Sequence, residues 1–197
     1  DKSVLRRNVT AAREAFAGWR LGYSVKTNWL PAVLDEMRQA GLMAEVVSPD
    51  EFRLALLCGF SAKDIIYNGP CKDFTTFRQI IEAGAIVNID SWREADWLEE
   101  IAPSCSFVVK VGIRLNIVIE ADRDVETSRF GFSEETGETG RIVERLSAIP
   151  NVRIAGLHLH RSSSNRRVDN YRLAIRQAAE TIARHGLAEK LEYIDVG

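Results

Sequence analysis

The sequence is poor in the features that mark several common classes of protein. Its three cysteines, Cys58, Cys71 and Cys105, are far apart, and no Cys-x-x-Cys pair occurs. That spacing indicates neither a zinc site nor a disulfide framework; three free thiols suit a reducing cytoplasm, the expected location. No apolar run reaches the roughly 18–20 residues needed to span a bilayer. The opening Asp-Lys-Ser-Val-Leu-Arg-Arg has no apolar signal core and no initiator Met, so the chain is expected to be trimmed. Lysine and arginine form no long run and the net charge is only -2, which gives no reason to expect a nucleic-acid or membrane partner. Gly-x-Gly-x-x-Gly and Gly-x-x-x-x-Gly-Lys-Ser/Thr are both missing, which argues against a dinucleotide or P-loop sheet.

What is present is a regular alternation. Short apolar, β-branched runs fall at Leu21–Val25, Ala44–Val47, Ile65–Tyr67, Ile86–Ile89, Phe107–Leu115, Ile154–His158 and Leu191–Val196. Amphipathic segments lie between them. Pro31–Ala40 carries Val33, Leu34 and Met37 at helical spacing before Gly41; Asp50–Cys58, Phe74–Ala83 and Tyr171–His185 likewise stop at a glycine. Ser91–Ile101 opens on a capping serine and ends before Pro103. The first four strands recur roughly every 20 residues, each with one helix, which is the βα unit that parallel strands require. Such a series predicts an α/β fold, either a barrel or an open doubly wound sheet. Seven strands are predicted, where a closed barrel has eight. No linker divides residues 1–197, so one domain is expected.

Lys26 lies at the end of the first strand, where a barrel places its active-site mouth. A lysine partly desolvated there can supply a neutral amine; the bland alternative is a surface charge. His158 and His160 share one face of a strand. Two histidines alone make an incomplete zinc site, so no metal is expected. The segment from Asn116 to about Thr139 reads as the longest loop, and loops after strand ends carry function in barrels.

Tyr23-Ser-Val-Lys-Thr-Asn28 resembles the Tyr-Ala-Val-Lys-x-Asn signature of the fold-type III pyridoxal-phosphate (PLP) decarboxylases, the diaminopimelate, ornithine and arginine decarboxylases. Further segments resemble the family's in order. These are Glu45-Val-Val-Ser48 with Glu51, Ile65-Ile-Tyr-Asn-Gly-Pro-Cys-Lys72, Asn88-Ile-Asp-Ser91 with Glu94, Ser128-Arg-Phe-Gly131, Gly156-Leu-His-Leu-His160 and Ile194-Asp-Val-Gly197. Each motif is weak alone; seven in order are strong, and they span nearly the whole chain.

The resemblance implies a parallel (β/α)8 TIM-like barrel of the alanine racemase/ornithine decarboxylase type, incomplete at its C-terminal end. It implies pyridoxal 5'-phosphate as cofactor, with Lys26 as the Schiff-base lysine. Glu45 is the acidic residue near the cofactor, where ornithine decarboxylases have Asp. Arg114 is a cofactor-side arginine, His160 stacks on the pyridine ring, and Ser163 hydrogen-bonds the phosphate. Gly197 begins a Gly-rich turn that cradles the phosphate, a physically natural anion site. The chain departs from the family's His-x-Gly-Ser at His160-Arg-Ser-Ser163, where Ser162 replaces a glycine. The implied activity is α-decarboxylation of diaminopimelate or a basic or diamino acid, in a homodimer when full length. The family's acidic partner of the pyridine nitrogen and its C-terminal β-domain lie beyond this chain, which reads as a fragment. Alternatives are a non-catalytic or regulatory PLP-binding homologue and an alanine-racemase-like enzyme; Thr27-Asn28-Trp29-Leu30 does not match the racemase run.

Overall fold

The computed structural model describes residues 1–117, 130–160 and 167–197. The chain divides into two compact units, Asp1–Ile86 and Val87–Gly197.

The first unit opens with helix α1 (Lys2–Ala15), capped by the Asp1 carboxylate, which accepts from Ser3 N at 2.8 Å. Three βα steps follow. They are β1 (Gly22–Ser24) with α2 (Pro31–Gln39), β2 (Met43–Val46) with α3 (Pro49–Leu57), and β3 (Ile65–Tyr67) with α4 (Phe74–Glu82). The strands run parallel in sequence order, Ser24 beside Glu45 and Glu45 beside Ile66. Local chemistry sets the helix starts. Pro31 and Pro49 occupy first-turn positions, where a missing N–H costs nothing. Asp73 caps α4 by accepting from Thr76 N at 2.8 Å. The apolar stripes follow the 3–4 spacing: Leu34 and Met37 on α2, Phe52 and Ala55 on α3, and Phe77, Ile80 and Ile81 on α4 are all buried. Burial of each large member stabilises the fold by about 1.5–3 kcal/mol. Helix α1 buries no residue. It is tied to α2 by charge instead, through Lys2 and Arg6 on Glu36 and Arg13 Nη1 on the Ala40 carbonyl.

The second unit contains β4 (Ile86–Ile89, its last three residues), α5 (Trp92–Ile101), β5 (Val109–Asn116), β6 (Phe132–Ser133), α6 (Glu138–Ala148), β7 (Val152–His158), α7 (Val168–Arg184) and β8 (Tyr193–Asp195). Its strands are parallel in the order β4-β5-β7-β8, and β6 pairs with the end of β5. Apart from the two-residue β6, neighbours on the sheet within each unit are neighbours in sequence. That is the order of a barrel; a doubly wound sheet reverses at a switch point. Beyond exposed Lys110, strand β5 is buried on both faces, as a covered parallel strand should be: Val111, Ile113 and Leu115 on one set of alternate positions, Gly112 and Arg114 on the other.

All seven predicted strands are present. Among the described residues, helix α1, strand β6 and helix α6 were not predicted. Helix α1 carries mostly charged and small residues and no core stripe. The segment expected as a loop to about Thr139 contains β6 and the start of α6, and α6 continues beyond it. Gly137 and Gly140 had masked that helix, although Ile142, Val143 and Leu146 have helical spacing and are buried. Among the described residues, no helix is long and apolar enough to cross a membrane.

Candidate active site

In the first unit, β1 does not run on into Lys26. It gives way at Val25 to a single 3-10 turn, Val25–Thr27, held by the Thr27 hydroxyl on the Ser24 carbonyl at 2.7 Å. Val25 points into the core, and Lys26 is exposed on the turn. The expectation that Lys26 is partly desolvated is therefore corrected: the turn lifts the residue clear of the strand, and its apolar neighbour takes the buried position. Glu45 stands half-buried on the adjacent strand, directly opposite Ser24 in the register. The Ser24 hydroxyl donates a short hydrogen bond to Glu45 Oε2.

Glu51 completes this group. Its carboxylate accepts from Val47 N at 2.9 Å, and its own N–H bonds Ser48 Oγ, so Ser48 and Glu51 together form a helix-start box for α3. Burial pushes the Glu51 carboxyl upward, the Glu45 charge adds to the rise, and the Val47 N–H and the Lys26 ammonium oppose it. At α5 the glutamate half of the device recurs, Glu94 Oε2 accepting from Asp90 N at 2.9 Å, while the Ser91 hydroxyl donates to the Glu94 carboxylate at 3.2 Å. The two Ser-x-x-Glu motifs thus share a structural explanation.

In the second unit, Arg114 is buried and pairs with buried Asp90, Nη1 to Oδ2 at 2.6 Å. Gly131 N donates to the other Asp90 oxygen at 3.1 Å, and the guanidinium lies 5.1 Å from the Phe130 ring centre. The partner of Arg114 is thus Asp90, from the Asn88-Ile-Asp-Ser91 segment. At the ends of β7 and β8, His158 is 2 % exposed, its ring centre 6.1 Å from that of half-buried His160. His158 Nε2 lies 4.0 Å from the Asp195 carboxylate. Asp195 binds Gly197 N at 3.0 Å through its side chain and Leu159 N at 2.7 Å through its carbonyl. Gly197 has φ +83, and an added Cβ would sit 3.0 Å from both His160 Nδ1 and the Leu159 carbonyl. Only glycine suits that position. Arg161, Ser162 and Ser163, and the Ser128-Arg129 part of Ser128-Arg-Phe-Gly131, lie outside the described residues. Among the described residues, no cluster of three His, Cys, Asp or Glu side chains could hold a metal.

Sequence reasoning missed Ser24, Asp90, Asn88 and Tyr193. Tyr193 donates to Asn88 Oδ1 at 2.7 Å, a contact between residues that only the fold brings together.

The sequence matches the family described as "Pyridoxal-dependent decarboxylase, pyridoxal binding domain" over residues 2–197. The chain belongs to this pyridoxal-dependent decarboxylase family. It is 34% identical to a probable chloroplastic diaminopimelate decarboxylase of Oryza sativa, over 100% of the chain and 42% of that protein. It is 26% identical to the diaminopimelate decarboxylase of Aquifex aeolicus, over 100% of the chain and 48% of the relative. The chain thus spans about half the length of the curated relatives it matches. Among solved structures, the diaminopimelate decarboxylase of M. jannaschii in complex with L-lysine superposes with a TM-score of 0.84 at 23% identity, over 96% of this chain and 48% of that one. An Aquifex aeolicus structure gives 0.81 at 26% identity, over 99% of the chain and 47% of the other. These likenesses settle the fold class as the parallel α/β TIM-like barrel.

The family's cofactor is pyridoxal 5'-phosphate. It demands an accessible amine, a flat face and an anion cradle; the first unit offers the amine and the second a half-buried imidazole, while the Gly197 N–H is taken by the Asp195 carboxylate. Lys26 is exposed, the His160 imidazole is half-buried, and Gly197 offers a backbone position that a side chain would block.

Proposed function

We propose that the intact protein removes the α-carboxylate of an amino acid with pyridoxal 5'-phosphate, and that Lys26 carries the cofactor. The carrying observation is the Lys26 turn: an exposed amine just past a parallel strand, on a turn that packs against the strand of Glu45 and the helix of Glu51. When bound, the cofactor supplies an electron sink for the charge left as carbon dioxide departs; orientation and electrostatics fall to the protein. In this reading the Glu45 carboxylate sets the charge near the cofactor. The His160 ring supplies a face for stacking, and the Gly197 backbone, with Ser163, receives the phosphate. Arg114, held in place by Asp90, is the cofactor-side arginine.

Residues 1–197 then form the cofactor-binding barrel portion of a longer protein that also carries a β-domain and works as a cytoplasmic homodimer. The substrate is a small amino acid, diaminopimelate or another basic or diamino acid. Support comes from the names of the relatives and from the L-lysine complexes of two diaminopimelate decarboxylases. The test is carbon dioxide release by the intact protein from a panel of diaminopimelate, lysine, ornithine and arginine. Release from one of them supports the assignment; racemised substrate without gas would replace it with the racemase reading.

A further inference from the structure

Two departures from the family's sequence pattern meet in this structure. The signature Tyr-Ala-Val-Lys has Ser24 in place of its alanine, and the second strand has Glu45 where ornithine decarboxylases have Asp. Ser24 and Glu45 are direct register partners on β1 and β2. Paired positions on adjacent strands carry their side chains on the same face, within reach of each other. Here they are joined, hydroxyl to carboxylate.

The geometry gives this bond a purpose. A glutamate has one more methylene than an aspartate and one more rotatable bond to fix, so its carboxylate is harder to hold in one place. Ser24 is fixed at both ends. Its backbone is in the strand, and its carbonyl accepts from the Thr27 hydroxyl on the far side of the lysine turn. Ser24 also immediately precedes that turn, as its N-cap residue. A carboxylate held by Ser24 is therefore held relative to the backbone that carries Lys26. The Lys26 turn itself packs against β2, which carries Glu45, and against α3, which carries Glu51.

We propose that Ser24 is a positioning residue: its hydroxyl locks the longer Glu45 side chain beside the Lys26 turn, so that Ser24 and Glu45 act as one coupled unit. This inference rests on Lys26 being the cofactor lysine. It assigns Ser24 no contact with substrate.

The test is a double-mutant cycle in the intact protein, read without turnover. The apo protein is exposed to pyridoxal 5'-phosphate and reduced with borohydride. The fraction of Lys26 converted to the stable secondary amine is then measured by peptide mass spectrometry. Ser24→Ala and Glu45→Gln should each lower labelling at limiting cofactor about tenfold, the effect of losing one charge-assisted hydrogen bond. The double variant should be no worse than Glu45→Gln alone, and Ser24→Thr, which keeps the hydroxyl, should restore labelling. Ser24→Ala should also shift the absorbance maximum of the lysine-bound cofactor. Far-ultraviolet circular dichroism identifies any variant that fails to fold; Ser24→Thr then carries the comparison, retained labelling supporting the proposal and lost labelling overturning it. Wild-type labelling in Ser24→Ala, or strictly additive losses, would overturn the role of Ser24 alone. Absence of labelling at Lys26 in the wild type would overturn the cofactor assignment with it.

Discussion

Tyr193 reaches from β8 to donate its hydroxyl to Asn88 Oδ1 on β4 at 2.7 Å, and its ring crosses two intervening glycines to do so. A Cβ on Gly156 would lie 2.0 Å from the Tyr193 ring, and one on Gly112 would lie 1.9 Å from Asn88 Oδ1. The strands β5 and β7 are thus bare of side chains where the ring lies. Burial, with the Asp195 charge adding, drives the phenol upward, so it stays protonated and able to donate. Gly156→Ala should therefore cost roughly 3 kcal/mol in urea unfolding through overpacking. Tyr193→Phe should cost about 1–3 kcal/mol, because it withdraws a donor from a buried amide. Tyr193→Ala should cost less in the Gly156→Ala background than in the wild type. Independent, additive losses would contradict the contact.

The buried Arg114–Asp90 pair leads to a second expectation. Both side chains are removed from water, and each neutralises the other at 2.6 Å. Removing one partner strands a buried charge, which costs about 3–5 kcal/mol. Asp90→Ala should lose that much in equilibrium unfolding. Replacing both residues with apolar side chains of similar volume should recover much of it. A loss under about 1 kcal/mol for Asp90→Ala would show that the guanidinium finds another partner.

The sequence shows strands well and side-chain partnerships poorly, for a physical reason. Runs such as Val111–Leu115 and Ile154–His158 are buried on both faces, so apolar β-branched residues crowd together and stand out. Helix α1 buries nothing, so it leaves no stripe to find, and Gly137 and Gly140 disguise the start of α6. For the site, motif order pointed to Lys26, Glu45, Arg114, His160 and Gly197. It could not show that Ser24 is bonded to Glu45 or Asp90 to Arg114. Strand register creates the first partnership, and a separation of 24 residues hides the second.

Lys26 permits a direct spectroscopic check. If its amine carries the cofactor, intact protein purified with pyridoxal 5'-phosphate shows a visible absorbance band. Lys26→Ala should abolish that band and lower decarboxylation by at least about a hundredfold. Persistence of the band in the variant would move the role to another amine. Lys72 is a poor substitute, since it is buried with its amine on the Gly69 carbonyl at 2.6 Å.

Glu36 governs the acid behaviour of the N-terminal helix. Hydrogen bonds from Arg6 and then Lys2 hold its carboxyl down to about 2, from the ordinary 4.5. A carboxyl depressed in the folded state favours folding above its unfolded value, and that contribution disappears as pH falls through the folded one. The stabilisation should therefore be complete above about pH 4.5 and be lost progressively toward pH 2. Helix α1 has no buried residue to hold it once these contacts go. The melting temperature of the wild type should fall more steeply than that of Glu36→Gln over this window, and the two curves should converge at its acid end. Because Arg6 and Lys2 are mostly exposed, 1 M salt should shrink the difference by screening. Parallel curves from pH 6 to pH 2 would show that α1 is held by something other than this ion cluster.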